Sequence, residues 1–260
     1  MLGKKQSIRN SDWLKAISSI ETSVSRSKIQ ALTAQAVADI RRTCAGKRAA
    51  YAWSGGKDSI ALGHICELAG IKDCVLVVCD LEYPAFNDWV KSHSPEKLEI
   101  VNTGQNLEWL SKNLQMLFPQ DGATAAKWFH IVQHRGQALY YKKHKLDIIC
   151  LGRRKADGNY VGRGSNIYTN AEGVTRYSPI AEWTHEDVLA YIHYNNLPIP
   201  PIYEWKNGYL CGTHEWAARQ WTGSIENGWR EVYDIDSSIV KEAARIIPSA
   251  AEFINKINNL

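Results

Sequence analysis

The chain has 260 residues, 31 Lys and Arg against 27 Asp and Glu, and a net charge of +4. Hydrophobic content of 45% and charged content of 22% are those of a soluble globular protein, and no apolar run is long enough to span a bilayer. The mild positive balance suits an anionic ligand and permits nucleic acid without requiring it.

Residues 1–10 are basic and polar and read as a loose end. Trp13, Leu14, Ile17 and Ile20, then Ile29, Leu32, Ala36, Val37 and Ile40, recur at helical spacing as far as Cys44, with Ser23 to Ser27 as the weak point and Gly46 as the stop. These helices read as a cap packed on a sheet, with a partner-binding arm as the alternative. Then comes an alternation of strands and helices. Ala49–Trp53 is an apolar strand followed by a helix over Ser59–Ala69, closed by Gly70. Cys74–Cys79 is a strand ending in Asp80, and Phe86–His93 a helix. Leu98–Asn102 is a strand, Leu107–Leu117 a helix, and about Thr124 to His144 a longer helix. Asp147–Leu151 is a fourth strand, ending at Gly152. Near-continuous apolar strands separated by helices predict an α/β fold, a mostly parallel twisted sheet with helices on both faces.

After Gly152 the stretch from Arg153 to Gly173 is long, polar and glycine-rich, as functional or disordered loops are. Thr184 with Asp187 forms a capping-box start for a helix over Glu186–Asn195, and the prolines at 198, 200 and 201 stop it. The tail from Trp229 holds short helices, Ser237–Ile247 and Ser249–Ile257, split at Pro248. The division expected is an N-terminal helical extension over 1–45, a nucleotide-binding α/β domain over 46–204 and an α-rich C-terminal extension over 205–260. The six cysteines contain no Cys-x-x-Cys, and Cys66, Cys74, Cys79 and Cys150 lie in apolar stretches. With no apolar signal core at the start, this sets the expectation of a reducing, cytoplasmic location.

The stretch Tyr51-Ala52-Trp53-Ser54-Gly55-Gly56-Lys57-Asp58-Ser59-Ile60 organises the rest. A buried strand runs into a glycine turn carrying hydroxyls and charge, then into a helix whose free N–H groups and positive dipole end suit phosphate. Asp58 and Ser59 stand where N-capping residues stand. The spacing is neither the common P-loop nor the Gly-x-Gly-x-x-Gly dinucleotide turn. Right-handed crossovers bring this loop, Asp80 and Gly152-Arg153-Arg154 to one edge of the sheet, where ligands bind in open α/β folds.

Ser54-Gly55-Gly56-Lys57-Asp58-Ser59 resembles the PP-loop of the adenine nucleotide alpha-hydrolase-like enzymes, which cleave ATP between the alpha and beta phosphates. Leu151-Gly152-Arg153-Arg154, together with Pro179-Ile180, Trp183-Thr184, Asp187-Val188, Tyr191-Ile192, Leu197-Pro198 and Ile202-Tyr203, is similar to the phosphoadenosine phosphosulfate reductase family in the broad sense. The resemblance implies a nucleotide-binding PP-loop enzyme, either a transferase or an oxidoreductase. The sulfonucleotide reductases of that family tend to degrade the glycine loop, which is intact here. Their C-terminal Glu-Cys-Gly-Leu-His has only Leu210-Cys211-Gly212-Thr213-His214 as a counterpart, well before the end, and the cysteine pairs of an iron–sulfur cluster are missing. The resemblance therefore implies ATP as substrate, with adenylation of an acceptor and pyrophosphate release, in sulfur transfer or nucleic acid modification. Reduction of phosphoadenosine or adenosine phosphosulfate through Cys211, or a nucleotide-binding module whose catalysis has decayed, are the alternatives.

The nucleotide set expected is Ser54, Gly55, Gly56, Lys57, Asp58, Ser59, Asp80, Gly152, Arg153 and Arg163. Lys57 offers charge to phosphate or is a solvated loop lysine. Asp58 orients the loop, holds Mg²⁺ through water, or caps the helix. Asp80 touches the ribose or a metal, or is a plain turn aspartate. Arg153 and Arg163 face phosphate or the activated substrate, or lie on a solvated loop. Cys211 with His214 is either a thiolate with its base or a structural cysteine. His130 and His134, one helical turn apart, either ligate a metal or lie on a helix surface. The catalytic set is Lys57, Asp58, Arg153 and Cys211. Partners open to such a chain are a nucleotide, a sulfur-donor protein, a nucleic acid or a second copy of itself, with no membrane.

Overall fold

The computed structural model describes residues 2, 8–220 and 222–259; of the loose end expected at the start, residues 1 and 3–7 lie outside the described residues. The chain begins with helices α1 (Asn10–Ser18), α2 (Ile20–Ser23) and α3 (Arg26–Cys44). It continues through β1 (Ala49–Ala52), α4 (Lys57–Ala69), β2 (Cys74–Val78), α5 (Pro84–His93), β3 (Leu98–Asn102) and α6 (Leu107–Ser111). Then come α7 (Gly122–Phe129), a π turn at His130–His134, α8 (Arg135–His144) and β4 (Ile148–Cys150). A hairpin of β5 (Ile167–Thr169) and β6 (Thr175–Tyr177) leads to α9 (His185–Tyr194) and α10 (Gly208–Cys211). The helices α11 (Ile225–Ile235), α12 (Ser237–Ala243) and α13 (Pro248–Asn258) complete it.

The six strands form one sheet in the order β3-β2-β1-β4-β6-β5, parallel except for β5. Every residue of β2 and β4 is buried, because helices cover both faces: α3, α4 and α9 on one side, α8 and the π turn on the other. Gly136 brings α8 against β2, since a Cβ there would lie 2.3 Å from Val77 Cγ1. From β1 the chain builds outwards through β2 and β3, then returns to pair β4 on β1's other side, with Ala49 opposite Ile148 and Tyr51 opposite Cys150. The connections leaving β1 and β4 therefore part in opposite directions, which opens a crevice at their carboxyl ends.

Three local expectations change. Helix α4 begins at Lys57 with Gly56 as its N-cap, so Asp58 and Ser59 lie in its first turn and do not cap it. The helix expected over Leu107–Leu117 ends at Ser111, where the Asn113 side chain donates to the Trp109 carbonyl and a short 3₁₀ turn follows. The stretch read as a loop folds partly into the β5–β6 hairpin, turned at Asn170 and Gly173, whose N–H donates to the Asn170 carbonyl. The capping box of α9 is present: Thr184 accepts from the Asp187 amide, and the Asp187 carboxylate accepts from the Thr184 amide at 2.9 Å.

Candidate functional site

A cleft of about 390 Å³ opens at the crevice, lined by Ser54, Asp58 and Ser59 after β1, by Gly152 and Arg153 after β4, and by Phe129, Gln133 and Gln137 around the π turn. Its far wall is Thr213, His214 and Glu215. The loop after β1 is braced from within. The Ser59 hydroxyl donates to the Gly56 carbonyl (2.9 Å) and accepts from the Ser54 amide (3.0 Å), and Ser54 Oγ lies 3.2 Å from it. Gly55 has φ +67°, and a Cβ there would meet the Phe86 ring at 2.7 Å, so both conformation and space require glycine. Gly152 lets β4's exit press against the same loop, since its Cβ would stand 3.1 Å from the Asp58 carbonyl. Thr213 Oγ1 donates to the Ser54 carbonyl at 3.0 Å and fastens the far wall to the loop.

Lys57 is buried and does not line the cleft. Its ammonium turns behind the loop to Asp58 Oδ2 (2.7 Å) and stands 4.9 Å from the centre of the Trp13 ring. Its N–H is engaged as well, donating to the Tyr203 hydroxyl at 2.8 Å. The other oxygen of Asp58 accepts from Arg154 Nε at 2.8 Å. Arg154 is fully buried, pairs with Asp157 Oδ2 at 3.0 Å and donates to the Trp183 carbonyl at 3.2 Å. The result is an alternating ion row, Lys57–Asp58–Arg154–Asp157, under the loop between β1 and α4. Burial pushes the Lys57 ammonium below its ordinary pKa while Asp58 opposes the shift, and burial together with Arg154 keeps His185 at the end of the row neutral.

Arg153 projects into the cleft. Its guanidinium donates to the Tyr168 hydroxyl (3.0 Å), lies 3.4 Å from His134 Nε2 and stands 5.7 Å over the Phe129 ring. Arg176 shares the Tyr168 hydroxyl at 3.4 Å and donates to the Tyr141 hydroxyl at 3.1 Å and to Gln137 Oε1. These contacts are all to neutral groups. Burial, with Arg176 and Arg153 nearby, drives the His134 pKa down to about 4, so the imidazole stays neutral. On the far wall burial pushes Glu215 up to about 7, and burial with the charge of Glu215 raises Glu82.

The structure does not bring the other expected residues together with these. Asp80 is exposed at the end of β2 and accepts from Asn102 Nδ2; Arg163 is exposed on the loop before β5. Neither lines the cleft. Cys211 is half-buried at the end of α10 and is not among the lining residues, whereas His214 is. His130 is exposed while His134 turns to Arg153, and among the described residues no group of three or more His, Cys, Asp or Glu side chains is placed to hold a metal. Arg154 as hub, Arg176, Gln137, Tyr203, Thr213, Glu215 and Trp13 escape the motif reading. Arg154, Tyr203 and Thr213 fall within segments the resemblance draws on, and nothing in those segments signals their partners.

The model of the phosphoadenosine phosphosulfate reductase domain matches residues 48–210. Among solved structures, the chain resembles phosphoadenylyl-sulfate (PAPS) reductase from Candida auris in its phosphate complex, at 16% identity and a TM-score of 0.52, covering 70% of this chain and 92% of that one. It also resembles the U34-tRNA thiolase NcsA from Methanococcus maripaludis with its 4Fe–4S cluster, at 14% identity and a TM-score of 0.47, covering 89% of this chain and 79% of that one. No curated protein matches the chain.

Proposed function

The chain belongs to the phosphoadenosine phosphosulfate reductase domain family, and from that premise we propose that it cleaves ATP between the alpha and beta phosphates to adenylate an acceptor. The observation that carries this reading is the intact Ser54–Ser59 loop at the β1–β4 crevice, with Arg153 entering the same cleft. The beta and gamma phosphates lie over the loop and the first turn of α4, at the positive end of the α4 dipole and beside the Ser54 hydroxyl. Arg153 lies beside the alpha phosphate, where charge grows as an acceptor oxygen attacks phosphorus and the bond to the bridging oxygen breaks. Pyrophosphate leaves and the adenylated acceptor remains. The acceptor enters from the Thr213–Glu215 wall.

Asp58 acts from below. Held between Lys57 and Arg154, it fixes the first turn of α4. Both of its oxygens being engaged, Mg²⁺ comes with the ATP phosphates as part of the substrate and keeps its waters. We also read 46–204 as the nucleotide domain, with 1–45 and 205–260 as extensions that buttress it. A cytoplasmic setting fits the free cysteines, five of them buried.

The test is incubation with Mg-ATP and candidate acceptors, oxygen nucleophiles on sulfur-carrier proteins and on RNA. Asp58→Asn is expected to cut AMP and pyrophosphate formation by roughly 10²-fold or more, as loss of a preorganised electrostatic group does. Sulfite from phosphoadenosine phosphosulfate, abolished in Cys211→Ala, would replace this reading with the reductase.

A further inference from the structure

The family match begins at residue 48, yet the nucleotide loop is held from outside it. Trp13, in α1, is fully buried, and three contacts run from its ring. The Lys57 ammonium stands 4.9 Å from the ring centre, His185 meets it edge-on at 4.7 Å, and Tyr209 stacks on it at 5.6 Å with an interplanar angle of 13°. Tyr209 is tied to the same helix, its amide donating to Asn10 Oδ1 at 3.0 Å. Tyr209 in turn packs on Tyr203 at 4.8 Å, and the Tyr203 hydroxyl accepts the Lys57 amide. A closed circuit results. One helix holds the Lys57 side chain through a π face and the Lys57 backbone through two tyrosines.

We propose that Trp13 is a positioning residue of the nucleotide site, acting through Lys57 on Asp58 and the first turn of α4. The physical reason is charge balance in a dry place. A buried ammonium needs compensation. Asp58 supplies an anion at 2.7 Å, but Arg154 draws on the same carboxylate at 2.8 Å. The indole face, the strongest of the aromatic cation acceptors, supplies attraction without adding a competing charge. With the ring removed, Lys57 turns toward water and releases Asp58 to Arg154, and the turn presenting Ser59 loses its anchor. Helix α1 thereby becomes part of the site rather than a cap on the sheet.

The inference rests on the nucleotide reading above, so the test has two separate arms, both on the full chain. In the first, hydrogen exchange of the 54–62 segment is followed without ligand. Trp13→Leu is expected to speed deuteration of this segment about tenfold while β2 keeps its protection; Trp13→Phe, which keeps a ring face, stays within about threefold of the parent. In the second, Mg-ATP is titrated calorimetrically into Trp13→Leu, Lys57→Met and the double variant. Trp13→Leu is expected to weaken binding roughly 10-fold in the parent and to have no further effect once Lys57 is Met. Unchanged exchange at 54–62, or an equal loss of affinity with and without Lys57, overturns the positioning role. Should Trp13→Leu fail to fold, Trp13→Met, which fills more of the space but has no ring face, decides in the same Lys57→Met cycle by the same criterion. A parent protein that does not bind Mg-ATP while the exchange arm behaves as expected overturns the ATP reading and leaves the positioning of the loop standing.

Discussion

At the scale of single residues, Glu215 holds an uncomfortable place. The residue is 5% exposed on the cleft wall, beside Glu82, and burial raises its carboxyl pKa from 4.5 to about 7. A carboxyl with a raised folded-state pKa favours the fold while protonated. That contribution is complete below pH 4.5, is lost as pH rises through 7, and leaves a penalty of about 3 kcal/mol above that. Glu215→Gln keeps the shape and removes the charge. It is expected to match the parent near pH 5 and to exceed it by about 2 kcal/mol at pH 8.5, read from urea denaturation midpoints at both pH values. A variant less stable than the parent at pH 8.5 means that the carboxylate is ionised and paired in the native state.

Among elements, α8 and β2 pack closely against each other beside the cleft, and each contributes lining residues to it. Gly136 is the second residue of α8, in a helical run continuing from the π turn, where alanine ordinarily gains about 1 kcal/mol over glycine. Here the added methyl would fall 2.3 and 2.8 Å from the two Val77 methyls, and Val77 is itself a cleft residue. Overpacking of this kind costs about 1–3 kcal/mol, so Gly136→Ala is expected to lower the melting temperature by about 2–6 °C. Val77→Ala in the same chain gives space for the methyl and recovers part of the loss. A single variant that melts higher than the parent shows that α8 can slide off the strand. The strands and the first helices of the sheet were legible because each carries its own period: β2 is five consecutive apolar residues, and α9 announces itself with Thr184 and Asp187. The β5–β6 hairpin was not, since two strands of three residues in a polar, glycine-rich stretch carry too little pattern to stand out. In the site, the loop and Arg153 were legible because glycines and charge follow apolar strands. The inward turn of Lys57 was not, because the ring that receives it lies 44 positions upstream in a helix whose periodicity said only that Trp13 is apolar.

Across the whole molecule, the wall of the cleft that faces the Ser54–Ser59 loop is held from behind by the C-terminal helices. The turn Trp216–Ala218 follows Glu215 directly, and the Ala217 carbonyl accepts from the Phe118 amide at 2.9 Å. Trp229, fully buried in α11, meets Phe118 edge-to-face at 4.9 Å and Trp216 at 5.8 Å, and its indole N–H donates to Ser249 at 3.0 Å. Arg219 is clamped to Glu231 of α11 at 2.6 Å. Truncating a buried tryptophan costs about 3–5 kcal/mol, a large part of the 5–15 kcal/mol typical of a folded domain. Trp229→Ala is therefore expected to lower the melting temperature by about 10 °C. Stability alone does not separate bracing of the site from general support, and Phe253 of α13 provides the contrast. It is equally buried, but its ring partners are Tyr233 and Arg230 rather than the cleft wall. Well below both melting temperatures, Trp229→Ala is expected to weaken Mg-ATP binding several-fold and Phe253→Ala to leave it within about twofold, because distant sites couple only through shared partners. Equal affinities in the two variants would mean that the tail stabilises the sheet without shaping the cleft. A selective loss would make the cleft a product of three parts of the chain: the sheet edge, the α1 helix behind the loop, and the α11 helix behind the opposite wall.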